Sequence, residues 1–587
     1  MKGRKLYLGL IFILSVAVVY LLEAVAQDKG IALGNVVITA KDRPSEWQDI
    51  IASDASENQL RLIVDGVEVA FAKNRIYMEN NLDIMIPTYI FRNSFKCAFN
   101  TVSDDGIELQ KGNTVVSIDS YDTFIDVNGK KVFLENAMKK DDDGYYINAH
   151  VLEEGFGYTY KWDSVENTLN LVDTKKDESI LPSRYSYYDV GRLGKIKDQG
   201  IYGTCWAFAS LTAVETSLMP EEKYDFSEDN MVWNSGYFGA QYDGGDYTRA
   251  ISYLASWRGP VLEEDDVYGD GINNSDAGVV KHVQEAQIIE SKNLEAVKKA
   301  VFLYGGVESS LYTSMSYAGE RSMYYNDKNY SYCYIGTKKP NHDVVIIGWD
   351  DNYSKDNFSV SLEGNGAFIC VNSWGDSFGD DGLFYVSYYD SNIGIHNVVY
   401  TRVEDNDNYD NIYQSDLCGW VGQLGYECDT AYFSNVYTAQ SDEELKSVGF
   451  YATGKDTSYE IYYVDNFEGT ESFCNKVYLQ SGKFTNEGYY TVDLNKAVNM
   501  AEGKKYAIIV KITTPGAVHP IAIEYKAGRS TKNVVIDDGE GYISLIGKSW
   551  EHVEESKECN ICLKMYTNNT PEKRRVCTIA VRTPQEK

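Results

Sequence analysis

The sequence predicts an α+β chain in which a region of mixed helices and strands lies between two β-rich regions. Three observations support this fold class. The chain has 587 residues, which at ~150 residues per domain suggests three or four domains. Aromatic residues make up 13% of it, with 48 tyrosines, and aromatic side chains favour the pleated surface of a sheet. Short alternating apolar runs fill both ends, whereas helical spacing of apolar residues occurs in the middle.

Composition and charge exclude several functions. With 55 Lys and Arg against 87 Asp and Glu, the net charge is −32, which argues against nucleic acid or anionic lipid as a partner because both need basic patches. The ten cysteines are too widely spaced for a small disulfide scaffold. Cys559-x-x-Cys562 lacks a second pair at zinc-site spacing, so we expect core or paired cysteines there. No metal or cofactor is predicted.

Residues 1–26 have the pattern of a secretory signal peptide. A positively charged start leads into a nearly apolar run from Leu6 to Leu22 and then a small-x-small cleavage site, Ala24-Val25-Ala26. The alternative is an uncleaved membrane anchor, because this run is at the lower limit for spanning a bilayer. We expect cleavage, a linker over 27–58, and a secreted or cell-surface protein.

Residues 59–174 have the pattern of a β module. Asp65-Gly66 and Asn128-Gly129 each separate two alternating runs, as in hairpins with tight turns. With these hairpins and a Met85-Ile86-Pro87 strand, the segment resembles the copper amine oxidase N-terminal-like stalk domain of secreted bacterial proteins. The resemblance implies a spacer or wall-proximal module rather than copper chemistry, since the segment contains a single histidine.

The central region contains a candidate nucleophile, Cys205, at the predicted start of a helix. Gly203-Thr204 allow a tight turn before it, and apolar residues follow at helical spacing. Free N–H groups and the helix dipole favour the thiolate there, which is the reactive form of cysteine. A single cysteine is more often a buried structural residue, so the rest of the region has to support a catalytic role.

Further residues complete a set suited to nucleophilic catalysis. His342 begins an apolar strand and Asn372 follows another, so the chain order is Cys, His, Asn. An imidazole can take the proton of the thiol, and an amide oxygen can orient the imidazole without adding charge. Gln199, shortly before Cys205, can donate an amide N–H to a developing oxyanion. Trp374 can cover the His–Asn hydrogen bond from water.

These motifs resemble those of the papain-like cysteine peptidases, over a predicted domain of 182–402. The matching segments, in chain order, are Gln199…Gly203-Thr204-Cys205-Trp206-Ala207-Phe208, Phe226-Ser227-Glu228-Asp229-Asn230, Asp243-Gly244-Gly245-Asp246, Asn341-His342-Asp343-Val344 and Asn372-Ser373-Trp374-Gly375. The resemblance implies a two-lobed peptidase with a helical lobe and a β-barrel lobe.

The resemblance also implies a role for each site residue. The catalytic set is the nucleophile, the general base and acid, the orienting amide and the oxyanion donor: Cys205, His342, Asn372 and Gln199. The substrate-binding set pairs with the substrate backbone on the unprimed side, flanks the primed side and borders the main specificity pocket: Gly244, Gly245, Trp374 and Asn341. Together with Ser310, Asn341 suggests a neutral specificity pocket.

Among the departures from the family pattern, one bears on the thiol and another on activation. Tyr202 stands where the family usually has the first cysteine of its signature, and Asp243 stands where that cysteine's partner usually lies. We therefore expect Cys205 to be a free thiol. No helical inhibitory pro-segment precedes the domain, and a β module is there instead, so the route of activation stays open.

Residues 405–567 have the short alternating runs of a β-sandwich, after an acidic, Asn-rich segment, Glu404–Asn408, that is typical of a linker. Tyr409-Asp410-Asn411-Ile412-Tyr413-Gln414 and Ala431-Tyr432-Phe433-Ser434-Asn435-Val436-Tyr437 resemble the lectin-like domain that follows bacterial peptidases of this kind. The resemblance implies binding of a cell-surface glycan or another surface. Residues 568–587 are predicted to be a mobile tail.

The sequence therefore predicts a monomeric, secreted cysteine endopeptidase that acts on protein or peptide substrates near a bacterial surface. One alternative is a non-catalytic surface adhesin on a papain scaffold, which the intact Cys–His–Asn–Gln set argues against. A second is an aminopeptidase or transferase with the same triad. No feature of the sequence would block one end of the cleft, which favours the endopeptidase.

Overall fold

The computed structural model describes residues 60–570, apart from 66, 70–75, 80–82, 104, 142–143, 165–166, 176–180, 240 and 537–538. The predicted signal peptide and the linker over 27–58 lie outside the described residues. Contacts divide the chain into two units. One contains the described parts of Met1–Ala70 with Tyr158–Thr174, and the other contains those of Phe71–Gly157 with Lys175–Lys587.

The N-terminal module is built from thirteen strands and two short helices. Their bounds are β1 Arg61–Val64, β2 Val67–Glu68, β3 Tyr77–Glu79, β4 Asp83–Pro87, α1 Thr88–Asn93, β5 Ala98–Ser103, β6 Gly106–Lys111, β7 Thr114–Asp119, β8 Phe124–Val127, β9 Lys130–Phe133, β10 Met138–Asp141, β11 Gly144–Asn148, α2 His150–Phe156, β12 Tyr158–Asp163 and β13 Thr168–Asp173. The first unit is the sheet β12–β13–β1–β2.

Both predicted hairpins are present. β1 pairs antiparallel with β2, and β8 pairs antiparallel with β9. In the second hairpin Asn128 and Gly129 have φ angles of 51° and 82°, the left-handed conformation that a tight two-residue turn between twisted strands requires. The strands β5 to β9 form one meander, and β10–β11–β4–β3 form a second sheet. The turn residues were therefore sufficient to predict these two hairpins.

The peptidase region places four helices around a sheet of nine strands. Their bounds are β14 Arg184–Ser186, α3 Cys205–Leu218, α4 Glu228–Asn234, α5 Tyr247–Ala255, β15 Lys281–Ile288, α6 Leu294–Leu303, β16 Val307–Leu311, β17 Tyr325–Asn326, β18 Ser331–Tyr332, β19 His342–Asp350, β20 Ala367–Val371, β21 Leu383–Ser387 and β22 Asn397–Asp405. Ser227, Asp246 and Asn293 cap α4, α5 and α6 with a side-chain oxygen that accepts a backbone N–H.

Helix α3 is the central helix of the region. Most of its residues are buried, including the polar Ser210, Glu215 and Thr216. A helix that is covered on nearly all sides belongs to the core of a large domain rather than to its surface. It packs against β19, β16 and β22 of the sheet and against α4 and α5. The sheet side and the helical side of the region therefore meet at this helix.

The C-terminal region is a β-sandwich, as predicted. Its elements are β23 Asn411–Tyr413, β24 Gly422–Leu424, β25 Thr430–Thr438, β26 Glu443–Ala452, β27 Ser458–Val464, β28 Val477–Lys483, β29 Glu487–Met500, β30 Lys505–Thr513, β31 Ile521–Tyr525, β32 Gly541–Ser544, β33 Glu551–His552, α7 Val553–Lys557, β34 Cys559–Ile561 and β35 Leu563–Asn569. Apolar side chains of β26 and β35 share one core with those of β25 and β30.

One large sheet runs through both regions, in the order β17–β18–β21–β20–β19–β16–β22–β15–β29–β26–β35–β23, with β14 paired to β19. The junction is the antiparallel pair β15–β29, where Glu285 lies opposite Tyr490. The peptidase region and the sandwich therefore share a continuous hydrogen-bonded sheet. The opposing sheet of the sandwich has the order β28–β27–β30–β25–β32–β33.

Strand pairing extends past two of the predicted boundaries. Strand β22 continues into the acidic segment as far as Asp405, where ion pairs of Arg402 with Glu404 and of Lys281 with Asp405 hold it. Strand β35 continues to Asn569 beside β26, into the predicted tail of 568–587. In both places strand pairing with distant residues overrides a polar local sequence. Residues 571–587 lie outside the described residues.

The part of the module within residues 76–157 contacts the peptidase region far from the start of α3. Arg92 of α1 lies 3.4 Å from the carboxylate of Glu221, which follows the end of α3 at Leu218. Strand β5 also contacts α6. A helix of this length spans about 20 Å at ~1.5 Å per residue, so the contact lies at the opposite end of α3 from Cys205.

Candidate active site

Cys205 is the first residue of α3, as predicted, and it is half-buried. It is a free cysteine. Where the family usually has the first cysteine of its signature, the ring of Tyr202 packs against that of Tyr242, with 5.0 Å between centroids. The hydroxyl of Thr204 lies 2.7 Å from that of Tyr268. Aromatic packing and a hydrogen bond therefore fix the turn that presents the thiol.

His342 and Asn372 lie on neighbouring strands, since β19 pairs antiparallel with β20. Nε2 of His342 lies 2.7 Å from Oδ1 of Asn372. An amide oxygen can only accept, so Nε2 is the protonated nitrogen and Nδ1 is free to act as a base. The ring of Trp374 stacks on the imidazole at 4.9 Å. Trp374 is 5% exposed and Asn372 2%, so the hydrogen bond is shielded from water.

The structure brings Cys205 to the start of β19. Helix α3 packs along β19, and both the backbone and the carboxylate of Asp343, the residue after His342, act electrostatically on the Cys205 thiol. The backbone N–H of Cys205 lies at the first helical position, where it has no acceptor within the helix. Nucleophile, base and a free backbone donor therefore meet at one end of α3.

Gln199 reaches this site through a short antiparallel contact between Asp198 and Trp374. The backbone N–H of Gln199 donates to Ser373, and the Ser373 hydroxyl donates to the Gln199 side-chain oxygen at 2.6 Å. The side-chain nitrogen donates one hydrogen to the Tyr202 carbonyl at 2.7 Å. An amide nitrogen has two hydrogens, so the second is available for an oxyanion. Ser373, which orients this amide, had no signal in the sequence.

Gly244 and Gly245 lie beside the start of α3. Gly244 has φ +72°, and a Cβ on Gly245 would come within 2.5 Å of the Trp206 ring, so neither position accepts a side chain without strain. Arg249 of α5 donates to the Gly244 carbonyl at 2.6 Å and lies over the Trp206 ring at 4.7 Å. Arg249 therefore positions this segment. Sequence analysis did not identify it.

The amide side chain of Asn341 is used in two hydrogen bonds to a neighbouring segment. Its oxygen accepts the Thr313 backbone N–H at 2.7 Å, and its nitrogen donates to the Thr313 carbonyl at 2.9 Å. The Ser310 hydroxyl donates to the carboxylate of Asp343 at 2.6 Å. Ser310, which was expected to border a neutral pocket together with Asn341, therefore lies against a carboxylate.

Burial opposes charge on both reacting groups. It raises the pKa of Cys205 to about 12, and the Asp343 charge adds to this, against hydrogen bonds from the backbone of Asp343 and Trp206. Burial also lowers the pKa of His342 to about 4, against the hydrogen bond to Asn372. Desolvation therefore opposes the thiolate that the helix end favours. Moving the proton from thiol to imidazole creates both charges together, so each stabilises the other.

Other histidine and cysteine residues lie outside the site. His282 stacks on Trp257 at 3.8 Å between centroids, and its Nδ1 lies 2.7 Å from Oδ1 of Asn408. These contacts give the buried His282 a structural role. Cys559 and Cys562 are buried free cysteines of the sandwich. In the described part of the chain no three His, Cys, Asp or Glu residues are grouped to hold a metal ion. Among the same residues, no helix has the length and apolar character needed to cross a bilayer.

Three family descriptions match the chain. "Copper amine oxidase N-terminal domain" matches residues 63–171. "Papain family cysteine protease" matches 181–403, and "Lectin like domain" matches 412–567. These matches confirm the three resemblances predicted from the sequence.

Two solved structures are similar over more than one region. The clostridial cysteine protease Cwp84 after propeptide cleavage is 30% identical with a TM-score of 0.59, over 66% of this chain and 99% of that one. A structure of the cysteine protease and lectin-like domains of Cwp84, a surface layer associated protein of Clostridium difficile, is 29% identical with a TM-score of 0.57, over 66% of this chain and 89% of that one.

Similar curated proteins match less than half of the chain. A cysteine protease of Blomia tropicalis is 25% identical over 280 residues, which is 43% of this chain and 78% of that protein. A probable cysteine protease of Arabidopsis thaliana is 26% identical over 255 residues, which is 40% of this chain and 64% of that protein.

Proposed function

This chain belongs to the papain family of cysteine proteases, and from that premise we propose that it is a secreted endopeptidase whose nucleophile is Cys205. The observation that carries the proposal is the His342–Asn372 hydrogen bond of 2.7 Å beside a thiol at the start of α3. This arrangement supplies a nucleophile, a base with a fixed tautomer and a free backbone donor within one site. A scaffold that only binds a partner needs none of these groups, which weighs against the adhesin alternative.

Acyl transfer in this site begins with movement of the thiol proton to Nδ1 of His342. The sulfur attacks the carbonyl carbon of the substrate, a C–S bond forms and the carbonyl electron pair moves to oxygen. The backbone N–H of Cys205 and the free side-chain N–H of Gln199 donate to this oxyanion. The C–N bond then breaks, and the leaving amine takes the proton from His342. What remains is a thioester on Cys205.

Hydrolysis of the thioester repeats these roles with water. His342 accepts a proton from the attacking water, and the new oxyanion binds to the same two donors. The C–S bond then breaks, the sulfur regains a proton from His342 and the acid product leaves. Asn372 keeps the ring oriented in both halves, and Trp374 protects that hydrogen bond from solvent.

The flanking regions have proposed roles that follow from their placement. Domain bounds of 59–174, 182–402 and 405–567 are proposed for the module, the peptidase and the lectin-like sandwich, after a signal peptide over 1–26. The described contact of the module with the peptidase lies near Glu221, at the far end of α3, which supports a spacer rather than a plug for the cleft. Surface location and glycan binding by the sandwich belong to the same proposal, as does the monomeric state.

Labelling with an epoxysuccinyl peptide tests the proposal directly. The full-length protein is treated without reduction, digested, and the modified residue is identified by mass spectrometry. We expect one label, on Cys205, because its helix packs against β19, which begins at the proposed base His342. Exposed Cys474 serves as an internal comparison. Labelling of Cys474 in place of Cys205 would contradict the assignment.

Replacing Asn372 by alanine should lower kcat about tenfold to hundredfold. Asn372 stabilises the imidazolium form of His342, so its removal lowers the pKa of His342 further and weakens the base. The acid limb of kcat/KM reflects protonation of His342, and it should therefore move to lower pH in this variant. Rate measurements from pH 3 to pH 8 on a peptide substrate, at ~0.15 M ionic strength, check both effects.

Asn372→Asp is the matched variant, since it keeps the shape and adds a charge. That charge favours the imidazolium, so the acid limb should move to higher pH. An acid limb that stays in place in both variants would show that Asn372 does not act on His342.

A further inference from the structure

The face of the large sheet that α3 covers has an acidic cluster next to the proposed nucleophile. Ser310 of β16 lies opposite Asp343 of β19, and Glu308 lies opposite Val345. Side chains two residues apart in a strand point to the same face. Glu308, Ser310 and Asp343 therefore share one face of the sheet, and Ser210 of α3 contacts that face by donating to Glu308 at 2.7 Å.

A third carboxylate reaches this cluster from the helical side. Asp246 directly follows Gly244 and Gly245, is exposed, and caps α5 by accepting the Thr248 backbone N–H at 2.9 Å. Its charge acts on both Asp343 and Glu308. The acidic cluster thus consists of Asp246, Glu308 and Asp343, and it runs from the exposed Gly244–Gly245 segment down to a buried glutamate.

Arg249 acts on Asp246, but among the described residues no Lys, Arg or His acts on Glu308 or Asp343. Burial, followed by the charge of Asp343, raises the pKa of Glu308. Burial also raises the pKa of Asp343, to about 6. Glu308 is 3% exposed. Its single donor among the described residues is Ser210. Carboxylates that are close together and desolvated without a counter-ion favour any cation that can reach them.

A buried tyrosine hydroxyl lies at the base of the cluster. Tyr400 of β22 lies two residues beyond Val398, which is opposite Glu308, so both side chains share the covered face. Tyr400 is 1% exposed and acts electrostatically with Glu308 and with the Ser210 side chain. Its hydroxyl nevertheless makes no hydrogen bond of normal geometry among the described residues, and the Ser210 hydroxyl donates to Glu308 instead. Buried hydroxyls are nearly always paired, so this one can accept a further polar partner.

We propose that the acidic cluster of Asp246, Glu308 and Asp343 binds a cationic group of the substrate on the acyl side of the scissile bond. The cluster lies on that side because Asp246 continues the Gly244–Gly245 segment, and Asp343 directly follows His342 in β19 and acts electrostatically on the Cys205 thiol. The cation is an ammonium or guanidinium, since the three carboxylates are not grouped closely enough to hold a metal ion. It comes either from a Lys or Arg side chain or from a free N-terminus. This inference rests on the proposed function and names its substrate class.

The test compares peptide substrates that differ in one charge. A series of N-acetylated peptidyl aminocoumarins has Lys, norleucine or Glu at each of the three residues before the scissile bond, and a further arm has the all-norleucine peptide with a free N-terminus. We expect kcat/KM to favour Lys over norleucine by about tenfold or more at one position, with Glu poorest. A preference confined to the free N-terminus would identify the ammonium as the cation and the enzyme as an aminopeptidase.

Three variants of the full-length protein locate the effect. Asp246→Asn keeps the helix cap because Asn caps as well as Asp, and Asp343→Asn keeps the size of the side chain. Each should lower the Lys-to-norleucine ratio several-fold while cleavage of the norleucine peptide continues. Asp376→Asn, an equal charge change at an exposed residue near Trp374, is the control and should leave the ratio unchanged.

The outcomes separate this inference from the proposed function. Cleavage of Lys, norleucine and acetylated or free peptides at equal rates would overturn the inference and leave the endopeptidase intact. A ratio that falls equally in Asp376→Asn would also overturn it, because general charge would then explain the preference. Absence of cleavage of every peptide, together with no epoxysuccinyl label on Cys205, would instead remove the proposed function.

Discussion

Replacing Cys205 by alanine should reduce peptide hydrolysis on the order of 10⁴- to 10⁶-fold, because the sulfur forms the covalent intermediate and no other group can substitute for it. The residue is half-buried at the start of α3, so loss of one sulfur atom there leaves the packing of Trp206 and the helix intact. The variant should therefore unfold at the same denaturant concentration as wild type. Initial rates with a fluorogenic peptide and an equilibrium unfolding curve provide the two measurements.

Cys474→Ala is the matched control for this prediction, since Cys474 is an exposed free cysteine of the sandwich. It should retain wild-type kcat/KM. A Cys205→Ala protein that still hydrolyses peptide near the wild-type rate would refute the assignment, provided that its preparation contains no other protease. His342→Ala should approach the same loss, because residues that act as one unit do not contribute additively.

Replacing Lys197 by methionine should lower the free energy of unfolding by about 3–5 kcal/mol. Its ammonium lies 2.7 Å from Glu215, 2.8 Å from Glu228 and 2.9 Å from Asp225. Lys197 and both glutamates are buried. Burial alone would lower the pKa of Lys197, but the three carboxylates raise it well above its usual value. Methionine fills the space of the lysine but leaves buried carboxylates without a cation. Loss of that cation is the main reason for the lower free energy of unfolding.

The deficit of Lys197→Met should grow as pH rises. Burial raises the pKa of Glu228 to about 8 even with Lys197 present. A carboxyl group whose pKa is higher in the folded than in the unfolded state stabilises the fold while it is protonated. This stabilisation is complete below the unfolded-state pKa, near 4.5, and is lost as pH rises through the folded-state pKa. Chemical denaturation at pH 5 and pH 8 should therefore show the larger deficit at pH 8.

Lys299→Met removes the same charge from an exposed pair and is the control. Lys299 lies 2.9 Å from Glu295, with 45% and 71% of their side chains exposed. Such a pair contributes less than about 0.5 kcal/mol. Equal deficits in the two lysine variants would show that the buried cluster around Lys197 has no special role in stability.

Local patterns were sufficient to predict the parts of the site that each depend on one short segment. A turn before an apolar helical run placed Cys205 at a helix start, and apolar runs placed His342 and Asn372 at strand ends. The hairpin turns of the N-terminal module were predictable for the same reason. In each case the residues that set the conformation are neighbours in the chain.

Features that depend on residues far apart in the chain were not predictable. Ser373 orients the Gln199 amide across 174 positions, and the acidic cluster forms only because β16 pairs with β19. The neutral pocket was predicted from Ser310 and Asn341 alone, without knowledge that this pairing sets Ser310 against a carboxylate. Likewise, a helix start suggested a stabilised thiolate, but the degree of desolvation depends on tertiary packing.

The junction of β15 with β29 has a mechanical consequence. Glu285, Ala286, Gln287 and Ile288 are hydrogen-bonded in register to the sandwich, and Arg402 of β22 reaches Asp493 of β29 at 3.1 Å. A hinge needs a segment with few such bonds, and this border has a full strand pair. The sandwich should therefore move with the peptidase region as one rigid body. If the sandwich binds a surface, the cleft then keeps a fixed orientation relative to that surface. Calorimetry should accordingly show these two regions melting together in a single cooperative transition.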